Sequence, residues 1–153
     1  MTKRERFMKF LANEPVDRVP VAFFHHFCGP DLMEKGMELP ESFERNIEGH
    51  REALKVFDPD VIKVMNDSLM ILPLDTSFVE KPSDLRKIQP PSVNSAFGKK
   101  TKELTQRVME IYEGKDAPIY ATGFSAIRVL RGSLDGMTNP DPRLPKWLAE
   151  DPD

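Results

Sequence analysis

The chain has 153 residues, with 22 lysines and arginines against 25 aspartates and glutamates, a net charge of -3, and 39% hydrophobic residues. That length suits a single domain with its own core. The charge balance gives nucleic-acid binding no electrostatic support, and no apolar run approaches the roughly 20 residues that cross a bilayer.

The first predicted element is a helix. Thr2-Lys3-Arg4-Glu5 spells a capping box, and Phe7, Met8, Phe10 and Leu11 give the helix one apolar face. Asn13-Glu14-Pro15 ends it. The run Val19-Pro20-Val21-Ala22-Phe23-Phe24 reads as strand one, with His25-His26-Phe27-Cys28-Gly29-Pro30 as its exit loop. Residues 31–41 read as a loop with at most a helical turn. Ser42 is the expected cap of a second helix, whose buried stripe is Phe43, Ile47, His50, Leu54 and Phe57. Asp58-Pro59-Asp60 stops that helix, and Val61 to Met65 reads as strand two. It runs directly into Asn66 and Asp67. A carboxylate at the end of an apolar strand is costly to bury. It either lies in water at a turn or faces a site that needs negative charge.

Residues 73–91 read as irregular, with one helical turn possible at Ser83-Asp84-Leu85. A third helix is expected over 101–113, with Leu104, Val108, Ile111 and Tyr112 on one face and Gly114 at its C′ position. Pro118 to Phe124 reads as strand three, leading into a helix from Ser125 to about Arg131. Residues 132–142 are turn-rich, and 145–150 suit a last short helix. Met33, Met37, Met65 and Met70 read as core filler. Alternating apolar strands and amphipathic helices argue for a parallel sheet with helices outside it. Three strands cannot close an eight-stranded β/α barrel, which takes roughly 250 residues. Pattern alone therefore leaves a small open α/β sheet or the opening portion of a larger barrel, in one domain over residues 1–153.

Four stretches together resemble the uroporphyrinogen decarboxylase superfamily. They are RERFMKFLANEPVDRVPVAFF, FDPDVIKVMNDSLMI, KPSDLRKIQPPS and GKDAPIYATGFSAIRVL, in the family's order over roughly residues 3–132. The family contains the heme-pathway decarboxylase, a lyase, and methyltransferases that move methyl groups between corrinoid proteins, thiols and methoxylated compounds. The resemblance implies the N-terminal portion of a (β/α)8 barrel, with about three parallel strands and flanking helices. It places Asp67 at the end of strand two, on the active-site face, where the family's aspartate stabilises positive charge on the substrate. A turn or helix-capping aspartate is the other reading of Asn66-Asp67-Ser68.

At the exit of strand one the chain departs from the decarboxylase. The two arginines with which the decarboxylase holds its substrate's carboxylates are both missing from His25-His26-Phe27-Cys28-Gly29-Pro30. The departure favours a corrinoid-linked methyltransferase type, or an uncharacterised branch, over a true uroporphyrinogen decarboxylase. His25 and His26 join Asp67 as expected catalytic groups. Tyr120, Phe124 and Ser125, near the end of strand three, are the expected substrate contacts, against a reading as strand packing and a helix cap. The family's methyltransferases use zinc and corrinoid, and their zinc set is His-x-Cys with a distant second cysteine. His26-Phe27-Cys28 has the spacing, but Cys28 is the chain's one cysteine, so no cofactor is expected within it. A single cysteine and an N-terminus without an apolar leader suit a cytoplasmic protein. The expected partners are a small-molecule substrate (tetrapyrrole, corrinoid-linked or methylated), and either further copies of the chain or a fragment carrying the rest of the barrel. Neither nucleic acid nor membrane is expected. The alternative function is a non-catalytic, self-associating subunit.

Overall fold

The computed structural model describes residues 1–35, 39–67, 72–136 and 139–150. Met37 and Met70, read as core filler, lie outside the described residues. Two compact units are present. One is built from Met1–Asp67 and Lys100–Gly123, the other from the described parts of 68–99 and 124–153. Among the described residues no helix is long and apolar enough to cross a membrane.

The first unit opens with α1 (Lys3–Leu11), nucleated by the expected capping box. The Glu5 amide donates to Thr2 Oγ1 at 3.1 Å, and the Thr2 amide donates to Glu5 Oε2 at 2.9 Å. The apolar face expected of this helix is not the buried one. Met8, Phe10 and Leu11 are exposed, and the buried side chain is Arg6. Its guanidinium donates to Asp17 and to Asp60, so charge pairing rather than apolar burial docks the helix.

α2 (Pro30–Lys35) replaces most of the loop expected after residue 30. α3 (Pro40–Phe57) starts earlier than expected, with Leu39 at the N-cap and Pro40 in the first turn. Proline there is preset to the helical φ. Ser42, expected as the cap, is inside the helix and donates its hydroxyl to the Leu32 carbonyl at 3.0 Å. Asp58 closes α3 in the left-handed region, at φ 39°. The α3 stripe holds in its middle, where Phe43, Ile47 and His50 are buried, but it runs out at Phe57, which is exposed.

The sheet overturns the barrel expectation. It has two strands, β1 (Ile62–Val64) and β2 (Ile119–Ala121), paired in parallel with Ile62 opposite Ile119, Lys63 opposite Tyr120 and Val64 opposite Ala121. The expected strand one, 19–24, makes a single bridge, Ala22 to Val61. Its failure to form a ladder has a local cause. Pro20 has no N–H to donate. The Val21 N–H is taken by the Asp60 side chain at 2.9 Å, and the Val21 carbonyl receives the amides of both Asp60 and Val61. With two three-residue strands, the described chain is neither a barrel nor a three-stranded opening of one.

The core under this sheet joins Phe43 and Ile47 of α3, Ile62 and Val64 of β1, and Leu104 and Val108 of α4 (Ala96–Ile111), with Tyr112 and Ala117. Ile47 and Leu104 are fully buried; each such side chain stabilises by about 2 kcal/mol. α4 begins a turn earlier than expected because Ser95 caps it, its Oγ accepting from the Gly98 amide at 3.1 Å. Gly114 takes φ 73°, but α4 ends at Ile111, so the glycine turns the chain three residues beyond the helix rather than at the expected C′ position.

The second unit contains a 3₁₀ helix (Pro82–Lys87), α5 (Ala126–Asp135) and α6 (Arg143–Glu150). Val79, Leu134 and Leu144 form its core, with Leu85, Ile88, Leu130 and Trp147 packed around them. Arg143 fastens it by donating to the carbonyls of Val79 at 3.0 Å and Leu134 at 2.8 Å. The single turn expected at 83–85 is the 3₁₀ helix. α5 runs on to Asp135, through residues read as turn-rich.

Candidate functional site

β1 ends at Val64, and the chain continues buried through Met65, Asn66 and Asp67. The Asp67 side chain is 2% exposed. Both of its oxygens are used by the loop that follows segment 19–24. Oδ2 accepts from the amides of Phe27 at 2.9 Å and Cys28 at 2.8 Å, and Oδ1 pairs with His26 Nδ1 at 2.7 Å. Buried polar groups must be paired, and this carboxylate meets the requirement by ordering the exit loop. Two expected catalytic residues, 41 positions apart, are thereby in direct contact.

The geometry fixes the imidazole. A carboxylate only accepts, so Nδ1 carries the hydrogen, and in the neutral ring Nε2 carries the lone pair. The His26 side chain is 51% exposed, so the ring is reachable from solvent. His26 lines a cleft of about 190 Å3 together with His25, Phe27, Arg45, Glu52 and Phe57. Arg45 is held across its rim, donating to the Phe27 carbonyl at 3.1 Å and to Glu52 at 3.2 Å. His25 borders both this cleft and a smaller one. Its ring meets Phe27 edge-on at 4.6 Å and Phe57 at 5.7 Å, and it borders a second cavity of about 30 Å3. That is room for one water.

Behind the loop stands α3. Gly49 lies so close to Phe27 that a Cβ there would come within 2.2 Å of the ring. His50, fully buried, contacts the Phe27 ring at 4.6 Å and accepts the Met65 amide at Nε2 at 2.9 Å. Its Nδ1 donates to the Asn46 carbonyl at 2.8 Å. Burial lowers the His50 pKa, against the opposing pull of the Asn46 carbonyl and the Asp67 charge.

Cys28 sits under Asp67 with its thiol pointing to the Ser42 carbonyl at 3.5 Å. Burial, and then the Asp67 charge, push this thiol up to about 11. Its sulfur is buried and turned to the Ser42 carbonyl rather than presented to the cleft beside His26. Among the described residues no three His, Cys, Asp or Glu side chains cluster as a metal site. The residues present do not fit the zinc set of the methyltransferases.

The remaining expected contacts fall elsewhere. Tyr120, opposite Lys63 in the sheet, has its ring 5.8 Å from Phe24, and Lys63 Nζ lies 4.0 Å from the centre of the same Phe24 ring. Phe124 and Ser125 belong to the second unit. Ser125 caps α5, its Oγ accepting from the Arg128 amide at 3.4 Å, and Phe124 stacks near the Arg128 guanidinium at 5.8 Å. The capping that the sequence offered as the alternative role of Ser125 is present.

Sequence reasoning missed Asp60, at the other end of β1. Its side chain is 1% exposed and receives Arg6, Arg18 and the Val21 amide. Burial opposes its ionisation, but Arg18, the Val21 amide and Arg6 outweigh it and hold its pKa below the usual carboxylate value. The available signal was an aspartate directly before an apolar strand, with Asp-Arg-x-Pro upstream. Charge that close to a core predicts a paired cation. Comparison of the chain with protein-family models, with curated proteins and with solved structures finds no match. The resemblance to the decarboxylase superfamily rests on the four sequence stretches alone.

Proposed function

We propose that the chain supplies an acid–base pair, His26 with Asp67, to an enzyme of the uroporphyrinogen decarboxylase-like group. The corrinoid-linked methyltransferase type, or a divergent branch, fits better than the decarboxylase itself. The observation that carries this reading is the buried Asp67 carboxylate, locked by two backbone amides and aimed at Nδ1 of a half-exposed histidine. Such a carboxylate sets the tautomer and stabilises the imidazolium formed when Nε2 takes a proton. In methyl transfer that proton would come from an acceptor S–H or O–H, leaving the deprotonated acceptor as nucleophile. The cleft supports a small substrate. At about 190 Å3 it is smaller than the roughly 300–1,000 Å3 of drug-sized sites, and its guanidinium, Arg45, is already paired with Glu52.

The test is titration of isotope-labelled protein, observed by NMR, with a small thiol, with free methylcobalamin and with uroporphyrin. Movement of the His26, Phe27 and Cys28 amides with the thiol or methylcobalamin, and not with the porphyrin, is the expected result. Porphyrin binding at these amides would move the reading to the decarboxylase. Silence with all three would sink it.

A second reading, a non-catalytic subunit that associates with its own copies, draws on the exposed apolar segment Val19, Val21, Phe23 and Phe24. Exposed apolar residues in a run mark an interaction surface. Light scattering on a sizing column tests it, and a concentration-independent monomer would exclude it.

A further inference from the structure

We infer that His50 is the positioning residue of the His26–Asp67 pair, and that it holds the pair in place only while its ring is uncharged. The inference rests on the reading of that pair as the site. His50 touches both halves of it. Through Nε2 it receives the Met65 amide, two residues before Asp67, and so fixes the chain that delivers the carboxylate. Through its ring face it supports Phe27, whose amide is one of the two backbone donors to Asp67. Gly49 beside it lets Phe27 approach the helix backbone. One turn of α3 therefore backs both the strand end and the loop.

The two bonds of His50 leave no choice of protonation state. Met65 can only donate, so Nε2 must be the acceptor, and Nδ1 must carry the hydrogen given to Asn46. A second proton would turn Nε2 into a donor, which cannot keep the Met65 amide and would turn to the Lys63 carbonyl instead, in a site with no exposure to water. The titratable groups that face His50 are few. Asp67 and His25 act on it through charge, with opposite signs, and the Lys63 carbonyl lies within its reach. On the α4 side, Tyr112 packs its ring at 6.1 Å and donates its hydroxyl to the His50 carbonyl at 3.3 Å. Burial pushes that phenol up to about 12, so it stays neutral. The state that breaks the Met65 bond is thus reached by acidification alone. It releases the end of β1 while leaving the chemical groups of the pair intact.

The experiment follows amide and imidazole resonances from pH 8 to 4, in the native protein and in His50→Gln. Glutamine keeps an acceptor for the Met65 amide but cannot titrate. In the native protein the Met65, Phe27 and Cys28 amides are expected to move together with the His50 ring. The protection of the Met65 amide, measured against the exchange rate of the unfolded amide at the same pH, should fall about five- to tenfold below that midpoint, the weight of one net hydrogen bond. In His50→Gln that step vanishes. If the Phe27 and Cys28 amides ignore the His50 midpoint, or keep the step in His50→Gln, the inference is overturned. A His50→Gln chain that does not fold leaves the native titration as the deciding measurement. None of these readouts requires turnover. Loss of the functional reading would show instead as absence of ligand-induced shifts at His26, with the coupling to His50 intact.

Discussion

β1 carries a buried aspartate just outside each end, and the two are solved differently. Asp60, before the strand, is met by two guanidiniums and one amide. Asp67, after it, is met by two amides and one imidazole. Arginine does not change charge at any physiological pH, so the Asp60 cluster has one state and serves to tie α1, segment 17–21 and β1 together. Histidine does change charge near neutrality, and half of His26 is open to solvent. Burial alone does not distinguish a structural carboxylate from a functional one. The partner does: a permanent cation closes the site, and a titratable one leaves it able to exchange a proton.

The comparison breaks hardest at Asp60. Asp60→Ala leaves Arg6 buried without its inner partner and frees the Val21 amide. Arg6 keeps Asp17, but bonds to two guanidiniums and one amide are lost together, so the change should cost about 3 kcal/mol or more at about 1.5–3 for each bond to a charged group; chemical denaturation measures it. The same cluster sets an acid limit. The Asp60 pKa is lowered in the fold, so its contribution is complete above the ordinary carboxylate value, 3.8, and is lost as pH falls through the folded value. His50 acts earlier. Its pKa is lowered from 6.5, the unfolded state binds the proton first, and stability should begin to fall as pH drops below about 6.5. Thermal unfolding followed from pH 8 to 3 should show two separate losses. A flat profile down to pH 4 would remove His50 from the argument.

Asp67→Asn is the matching change at the other end. The amide oxygen can still accept from Phe27 and Cys28, so the loop should stay closed at a cost of about 1–3 kcal/mol. The amide nitrogen then faces His26 Nδ1 and forces the imidazole hydrogen onto Nε2. That removes the base, and any proton transfer at His26 should slow by about 10²–10⁴. A variant that keeps full ligand response and rate would make Asp67 a second structural carboxylate, no different from Asp60.

How much of this was legible in the sequence differs by feature. α3 and α4 were written in three- and four-residue spacing, and the α1 cap in Thr2 and Glu5, because local chemistry decides them. Segment 19–24 was misread because apolar content is not pairing: Pro20 and the Asp60 side chain divert its hydrogen bonds. Arg6 was invisible inside an apolar-looking helix, since nothing local shows a cation turning inward to meet Asp60. His26 and Asp67 were each singled out, but their contact, 41 residues apart, is tertiary and has no local signature. His50 was placed on the buried stripe. Its bond to Met65 depends on where β1 ends, which periodicity does not specify.

Gly49 sharpens the difference between the two ends, because it supports only one of them. In Gly49→Ala the new methyl group collides with the Phe27 ring at its root, where the ring cannot swing away. Overpacking of this kind costs about 1–3 kcal/mol, and the gain in helix propensity offsets about 1. The net loss of stability should be about 1 kcal/mol, while the Phe27 and Cys28 amides move and those of Val21 and Asp60 do not.

The smallest expected effect on stability is at His26 itself. Its ring is half exposed, and its bond to Asp67 is one of three that the carboxylate accepts. His26→Gln keeps a donor for Oδ1, so unfolding free energy should change by less than about 1 kcal/mol. Proton transfer through the Asp67-backed imidazole, and the ligand response at the His26, Phe27 and Cys28 amides, should nonetheless be lost, because the ring that pairs with Asp67 has gone. A residue that costs the fold almost nothing and the site everything is the opposite of Asp60. A His26→Gln protein as destabilised as Asp60→Ala would mean that the imidazole, too, is a structural clamp, and the two ends of β1 would then be built for the same purpose.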